Sequence, residues 1–203
     1  MRRIVTVAAM LLGTASADVH DDVTSRVRFN ETFTRTINTD VGDIDIAYNG
    51  VSFGSSDRQS YASRMYFSHV QGAADLIDDF ATYRGITLQR CKDRDIRAFD
   101  VGPSVLEDER LHRLVNWNDP ELAGGWGQQM TGLYTPSDDD SNRATIYTDM
   151  YHPERSRIIT HEVAHFLYDE FCLERARIDP ERFAHDFEDY YESHIMPSRR
   201  ISY

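Results

Sequence analysis

Residues 161–165 read His-Glu-Val-Ala-His, a spacing suited to one kind of chemistry. On a helix, His161 and His165 stand about one turn apart on a shared face, so both imidazoles reach a single metal ion. Glu162 lies beside them and can touch a water in the metal's open position. Zn2+ is the natural guest, because it takes imidazole nitrogen and carboxylate oxygen and keeps that open position when the protein supplies three ligands. The flanking residues suit a packed helix: Thr160, Val163 and Ala164 are uncharged, and Phe166 and Leu167 are bulky. A third ligand is still required. The chain downstream offers Glu181, His185, Glu188 and Glu192 within a narrow arc of one helical face, and spacing alone does not choose among them.

The elements that must hold these residues are legible from periodicity. At about 100° per residue, Ile159, Val163, Phe166, Leu167 and Phe171 form one apolar stripe. The two histidines project roughly 140–180° from its middle, which separates them from ordinary core histidines. Pro153 opens this helix, which is expected to run to about Cys172. A second helix starts at Asp179-Pro180, with Asp179 as N-cap, and runs to about Ile195. Its other face carries Phe183, Phe187, Tyr190 and Tyr191 for the core.

Upstream, helical spacing covers 61–83, with Ala73, Leu76, Ile77 and Phe80 inward and Gly85 as a stop. Strand signals occur at 27–29, 86–88, 96–99, 130–134 and 144–148, and a hairpin is expected to turn at Asn49-Gly50. A short helix is expected over 106–117, and 135–142 is a loop by composition. Its three aspartates lack calcium-loop spacing and read as a solvated turn.

Composition narrows the setting. Arg2 and Arg3, the apolar run Ile4 to Leu12 and Ala15-Ser16-Ala17 read as a secretory signal peptide over 1–17, which implies export to the periplasm or beyond the cell. Its removal leaves 186 of the 203 residues and takes the formal charge from −12 to −14. That charge argues against nucleic acid and anionic membranes as partners. No later stretch approaches the roughly 20 apolar residues of a membrane span. Ten Phe, eleven Tyr and two Trp argue against disorder. Cys91 and Cys172, outside any C-x-x-C pair, are expected to form one disulfide in an oxidising compartment. Residues 18–57 form a strand-rich segment, either integral to the sheet or a propeptide masking the site, ahead of a main domain over 58–203.

The motif, followed by a helix bearing a glutamate, resembles the gluzincin zinc metallopeptidases, the thermolysin and lethal-factor group. The resemblance covers about residues 159–203, where Glu181-Arg182-Phe183-Ala184 is similar to the run that carries the third ligand in those families. It implies an α+β zincin-like domain, with a small twisted mixed sheet, the motif helix and a ligand-bearing helix. It implies Zn2+ held by His161, His165 and Glu181, with Glu162 as general base in peptide hydrolysis. One turn on, where such families place a supporting acid, this chain has His185, which leaves His185 and Glu188 as alternative ligands or supports. The H-x-x-G-x-x-H extension of metzincins is absent from the sequence. The resemblance also implies a peptide or protein substrate laid along an edge strand, which 144–148 resembles, and a Tyr or His completing the oxyanion site, with Tyr191 nearest the ligand face. The alternative from another class is a non-catalytic zincin-like domain that binds metal or protein without hydrolysis.

Overall fold

A computed structural model describes residues 19–25, 27–29, 31–38, 42–50, 56–111, 130–136 and 143–195. Five strands form one mixed sheet: β1 (Glu31–Ile37), β2 (Ile44–Gly50), β3 (Asp95–Val101), β4 (Gly132–Thr135) and β5 (Arg143–Asp149), in the order β1-β2-β3-β5-β4. β2, β3 and β5 run parallel, while β1 and β4 pair antiparallel at the two ends. Among the described residues three long helices complete the α+β architecture, α1 (Ser56–Arg84), α2 (Arg155–Glu170) and α3 (Pro180–Ile195), with shorter helical pieces at 19–25 and Pro103–Leu106.

Both faces of the sheet are covered. On one, Ile46, Tyr48, Ile96, Ala98, Ala144 and Ile146 pack against α1, α2 and α3. On the other, Phe99, Val101, Leu133 and Tyr147 meet Val23, Leu106 and Leu111. Double coverage is what parallel strands require, since each carries apolar residues on both sides. Residues 31–50 supply two of the strands, and the helical segment at 19–25 lies on the face away from α2.

Several elements differ from the sequence reading. α1 begins at Ser56, earlier than the periodicity indicates, and ends where Gly85 takes φ +66°. Residues 86–88 are not a strand; Ile86 and Leu88 pack against the core from an irregular segment. Asn49 and Gly50 do not turn a hairpin. They sit inside β2, opposite Thr32 and Glu31, because β2 finds its antiparallel partner upstream. The strand 144–148 is real but interior, between β3 and β4, so the edge position belongs to β4. The expected signal peptide, the second arm of the hairpin at 51–53, residues 112–117 of the short helix and most of the 135–142 loop lie outside the described residues.

Two polar clusters anchor α2 over the sheet. At its start, buried Asp100 accepts from Tyr48 Oη at 2.6 Å, Thr148 Oγ1 at 2.7 Å and Arg155 Nε at 3.0 Å. At its end, Arg94 bonds Glu170 Oε1 at 2.9 Å and Asp169 at 3.1 Å, while Tyr134 Oη donates to Asp169 at 2.8 Å. Cys91 and Cys172 lie beside this second cluster at disulfide distance, Cα–Cα 6.1 Å.

The N-terminal segment carries a pH-dependent contact. Buried His20 bonds Tyr147 Oη at 2.8 Å through Nδ1 and lies 3.2 Å from Thr135 Oγ1 through Nε2. Burial lowers its pKa to about 4, helped by Arg97 and opposed by Asp21. The native ring is therefore neutral where the unfolded ring begins to bind a proton. Its contribution is present above about pH 6.5 and is lost as pH falls from there towards 4, a change of about 3 kcal/mol. A His20→Gln variant, which does not titrate, should lose less thermal stability than the parent over that interval. Parallel melting curves for the two proteins sink this assignment.

Candidate metal centre

α2 buries the predicted stripe: Ile159, Val163, Phe166, Leu167 and Phe171 all lie in the core. The helix is turned so that His161 and His165 stay partly exposed on the side facing α3. Phe171 caps α2, and Cys172 takes a left-handed conformation, φ +50°, that turns the chain into the 3-10 turn Leu173–Ala176. A second left-handed residue, Arg177, precedes α3. Asp179 caps α3 as expected, accepting the Arg182 backbone N–H at 2.7 Å through Oδ1. Phe183, Ala184, Phe187 and Tyr191 seat α3 in the core, which brings its acidic face against the histidines.

The result is a three-donor cluster. His161 Nε2 and His165 Nε2 are 3.2 Å apart. Glu181 Oε2 lies 3.4 Å from His161 Nε2, and its Oε1 lies 3.3 Å from His165 Nε2. Metal–ligand bonds of about 2.0–2.1 Å at tetrahedral angles put neighbouring donors roughly 3.3 Å apart. The three residues present fit a zinc ion. Hydrogen bonds to the two histidines hold the Glu181 carboxyl far below the ordinary range, so it is ionised as a ligand must be.

The other candidates on α3 go elsewhere. Glu188 Oε2 lies 3.1 Å from His161 Nδ1, the nitrogen on the far side of the ring from the cluster, and Arg157 bonds its other oxygen. With a metal ion on Nε2, that arrangement would keep the His161 proton on Nδ1, directed at Glu188. The supporting acid is thus two turns beyond Glu181 rather than one. His185 is exposed, 3.6 Å from Glu188 Oε2, and Glu192 lies 4.0 Å from Arg157. Tyr191 does not face the site. It is buried between α1 and α3, with its hydroxyl 3.1 Å from His69 Nδ1.

Glu162 is buried beside the pair, and burial raises its carboxyl pKa to about 7; His161 and the Tyr134 backbone hydrogen bond pull it down, and Glu181 pushes it up. Its nearest neighbour in the sheet was not foreseen. A Cβ at Gly132 would lie 2.4 Å from Glu162 Oε1 and 2.7 Å from Ile158 Cγ2, so β4 approaches this closely only because residue 132 has no side chain. Two residues on, the Tyr134 ring stacks on His165 with centroids 6.1 Å apart. A lone glycine inside a strand signal marks a close backbone approach, and that was the available hint.

No protein-family model, curated protein or solved structure matches this chain.

Proposed function

We propose that this chain is an exported, zinc-dependent metallopeptidase with a zincin-like centre, hydrolysing a peptide or protein substrate. The observation that carries the reading is the trio of His161 Nε2, His165 Nε2 and a Glu181 carboxylate at 3.2–3.4 Å, with buried Glu162 next to it. Bound there, zinc supplies a Lewis acid that lowers the pKa of a water and polarises a scissile carbonyl. Glu162 accepts that water's proton at a carboxylate oxygen and delivers it to the leaving amine. Without a metal, burial pushes this carboxyl up to about 7; a bound dication would draw it back towards the carboxylate that a base must be. Gly132 keeps the carboxylate clear of any side chain from β4. Among the described residues β4 has β5 on one side and no strand on the other, so an extended substrate has a free backbone edge next to Glu162.

Metal analysis of the purified protein, with digestion of a broad peptide library in the presence and absence of a chelator, tests this. One zinc per chain and chelator-sensitive cleavage are expected. Zinc without cleavage across the library moves the assignment to the non-catalytic, metal-binding alternative. Absence of zinc sinks both metal-dependent readings and leaves the non-catalytic, protein-binding one.

Glu188 gives a graded test within the same reading. Glu188→Gln keeps the shape but weakens the charged partner of His161 Nδ1, so zinc affinity should fall by about 10–100-fold. Competition with a chromophoric chelator measures it, and unchanged affinity would deny Glu188 its supporting role.

A further inference from the structure

His161 presents donors in two directions. Its Nε2 meets His165 and Glu181, its Nδ1 meets Glu188, and the His185 ring stands beside its own, so that His161, His185 and Glu188 each bring a donor within 4.8 Å of the others. Glu188 Oε2 lies 3.1 Å from His161 Nδ1 and 3.6 Å from His185 Nδ1, and the two imidazole rings are 4.7 Å apart between centroids. These separations bracket the roughly 3.3 Å between neighbouring ligands of a tetrahedral zinc ion. The chemical types also suit that ion, two imidazoles and a carboxylate. His185 stands at the solvent side, with 65% of its side chain exposed, and gives an entering ion its first ligand.

We infer that His161 Nδ1, His185 Nδ1 and Glu188 form a second divalent-cation position that shares His161 with the first. The inference rests on the zinc reading of the first cluster. In the singly loaded protein the Nδ1 proton of His161 is held by Glu188. A second cation takes its place, that proton leaves to solvent, and the imidazolate bridges two metal ions. Local charge favours the exchange: Glu181, Glu188, Asp189 and Glu192 surround this face, opposed by Arg157, which bonds Glu188 and lies 3.5 Å from Asp189. The Arg157 guanidinium and the proton to be expelled make this position the weaker of the two. Because the second cation takes Glu188 from its supporting contact with His161, excess cation should alter turnover.

Calorimetric titration of the full chain with Zn2+ at pH 8 provides the test. Two classes of site are expected, the second releasing about one proton per ion, read from buffers of different ionisation enthalpy. His185→Ala should lose the second class and keep the first; alanine is a good helix former at this exposed position, and unchanged circular dichroism checks the fold. Saturation of the parent at one zinc, a second class without proton release, or persistence of both classes in His185→Ala overturns the inference while leaving the first centre standing. A protein that binds no zinc at all instead removes the proposed function on which it rests.

Discussion

Glu162→Gln should keep its zinc and lose hydrolysis, with turnover falling on the order of 10²–10⁴-fold. The amide has the volume and shape of the carboxylate, and the pocket is built tightly enough for shape to matter. The backbone of Gly132 stands against Glu162 Oε1, and the Tyr134 backbone N–H bonds the carboxylate. Gln preserves an acceptor for that N–H. It cannot accept a proton from water, so the loss falls on chemistry rather than on folding or metal. Turnover and metal content measured on the same sample separate the outcomes. If the variant loses zinc, Glu162 is a ligand and not the base. If it keeps both zinc and activity, the proton goes elsewhere.

The second large effect concerns the ligands. His161→Ala, His165→Ala and Glu181→Ala should each weaken zinc by more than the roughly 10–100-fold expected for losing a supporting partner, and each should abolish activity. Among the described residues three protein donors converge on the cluster, so any deletion leaves two of them. None of the three side chains belongs to the apolar core, and alanine favours the helix, so folding is expected to survive. His185→Ala should leave the first zinc in place. The ordering decides the matter. Full zinc in Glu181→Ala, with loss in Glu188→Ala, would move the metal to the other side of the His161 ring.

The two helices were legible because their requirements are local. A stripe at 3.6-residue spacing places Ile159, Val163 and Phe166 inward, and the same arithmetic sends His161 and His165 to the opposite side. Asp179-Pro180 announces a helix start by its own chemistry. The choice among Glu181, His185 and Glu188 was not local. All share one face of α3, and what sorts them is how far α3 slides along α2, which is fixed by Phe183 and Phe187 settling against Phe80 of α1. Strand order is hidden for the same reason. β5 buries nearly every residue, and nothing in its sequence says whether β4 or solvent lies beyond it. Asn49-Gly50 carries a strong turn signal that lost to register, because pairing Phe33 with Tyr48 runs β1 past the dipeptide. Gly132 stood out as a glycine inside a strand signal, but what it approaches emerged only with its distance from Glu162.

The two outer strands of the sheet face opposite demands. An open strand edge is a template for any other chain, and long flat edges invite aggregation. β1 is seven residues long and turns Thr32, Thr34, Arg35 and Thr36 to solvent, a guarded margin. β4 beside Glu162 cannot be guarded that way, because Gly132 must stay bare for the carboxylate to fit. It is instead kept to four residues, roughly 13 Å of ladder. That length accommodates one short extended segment and is too brief to seed stacking of one copy on another. Among the described residues, then, one outer strand is long and polar and the other is short and bare.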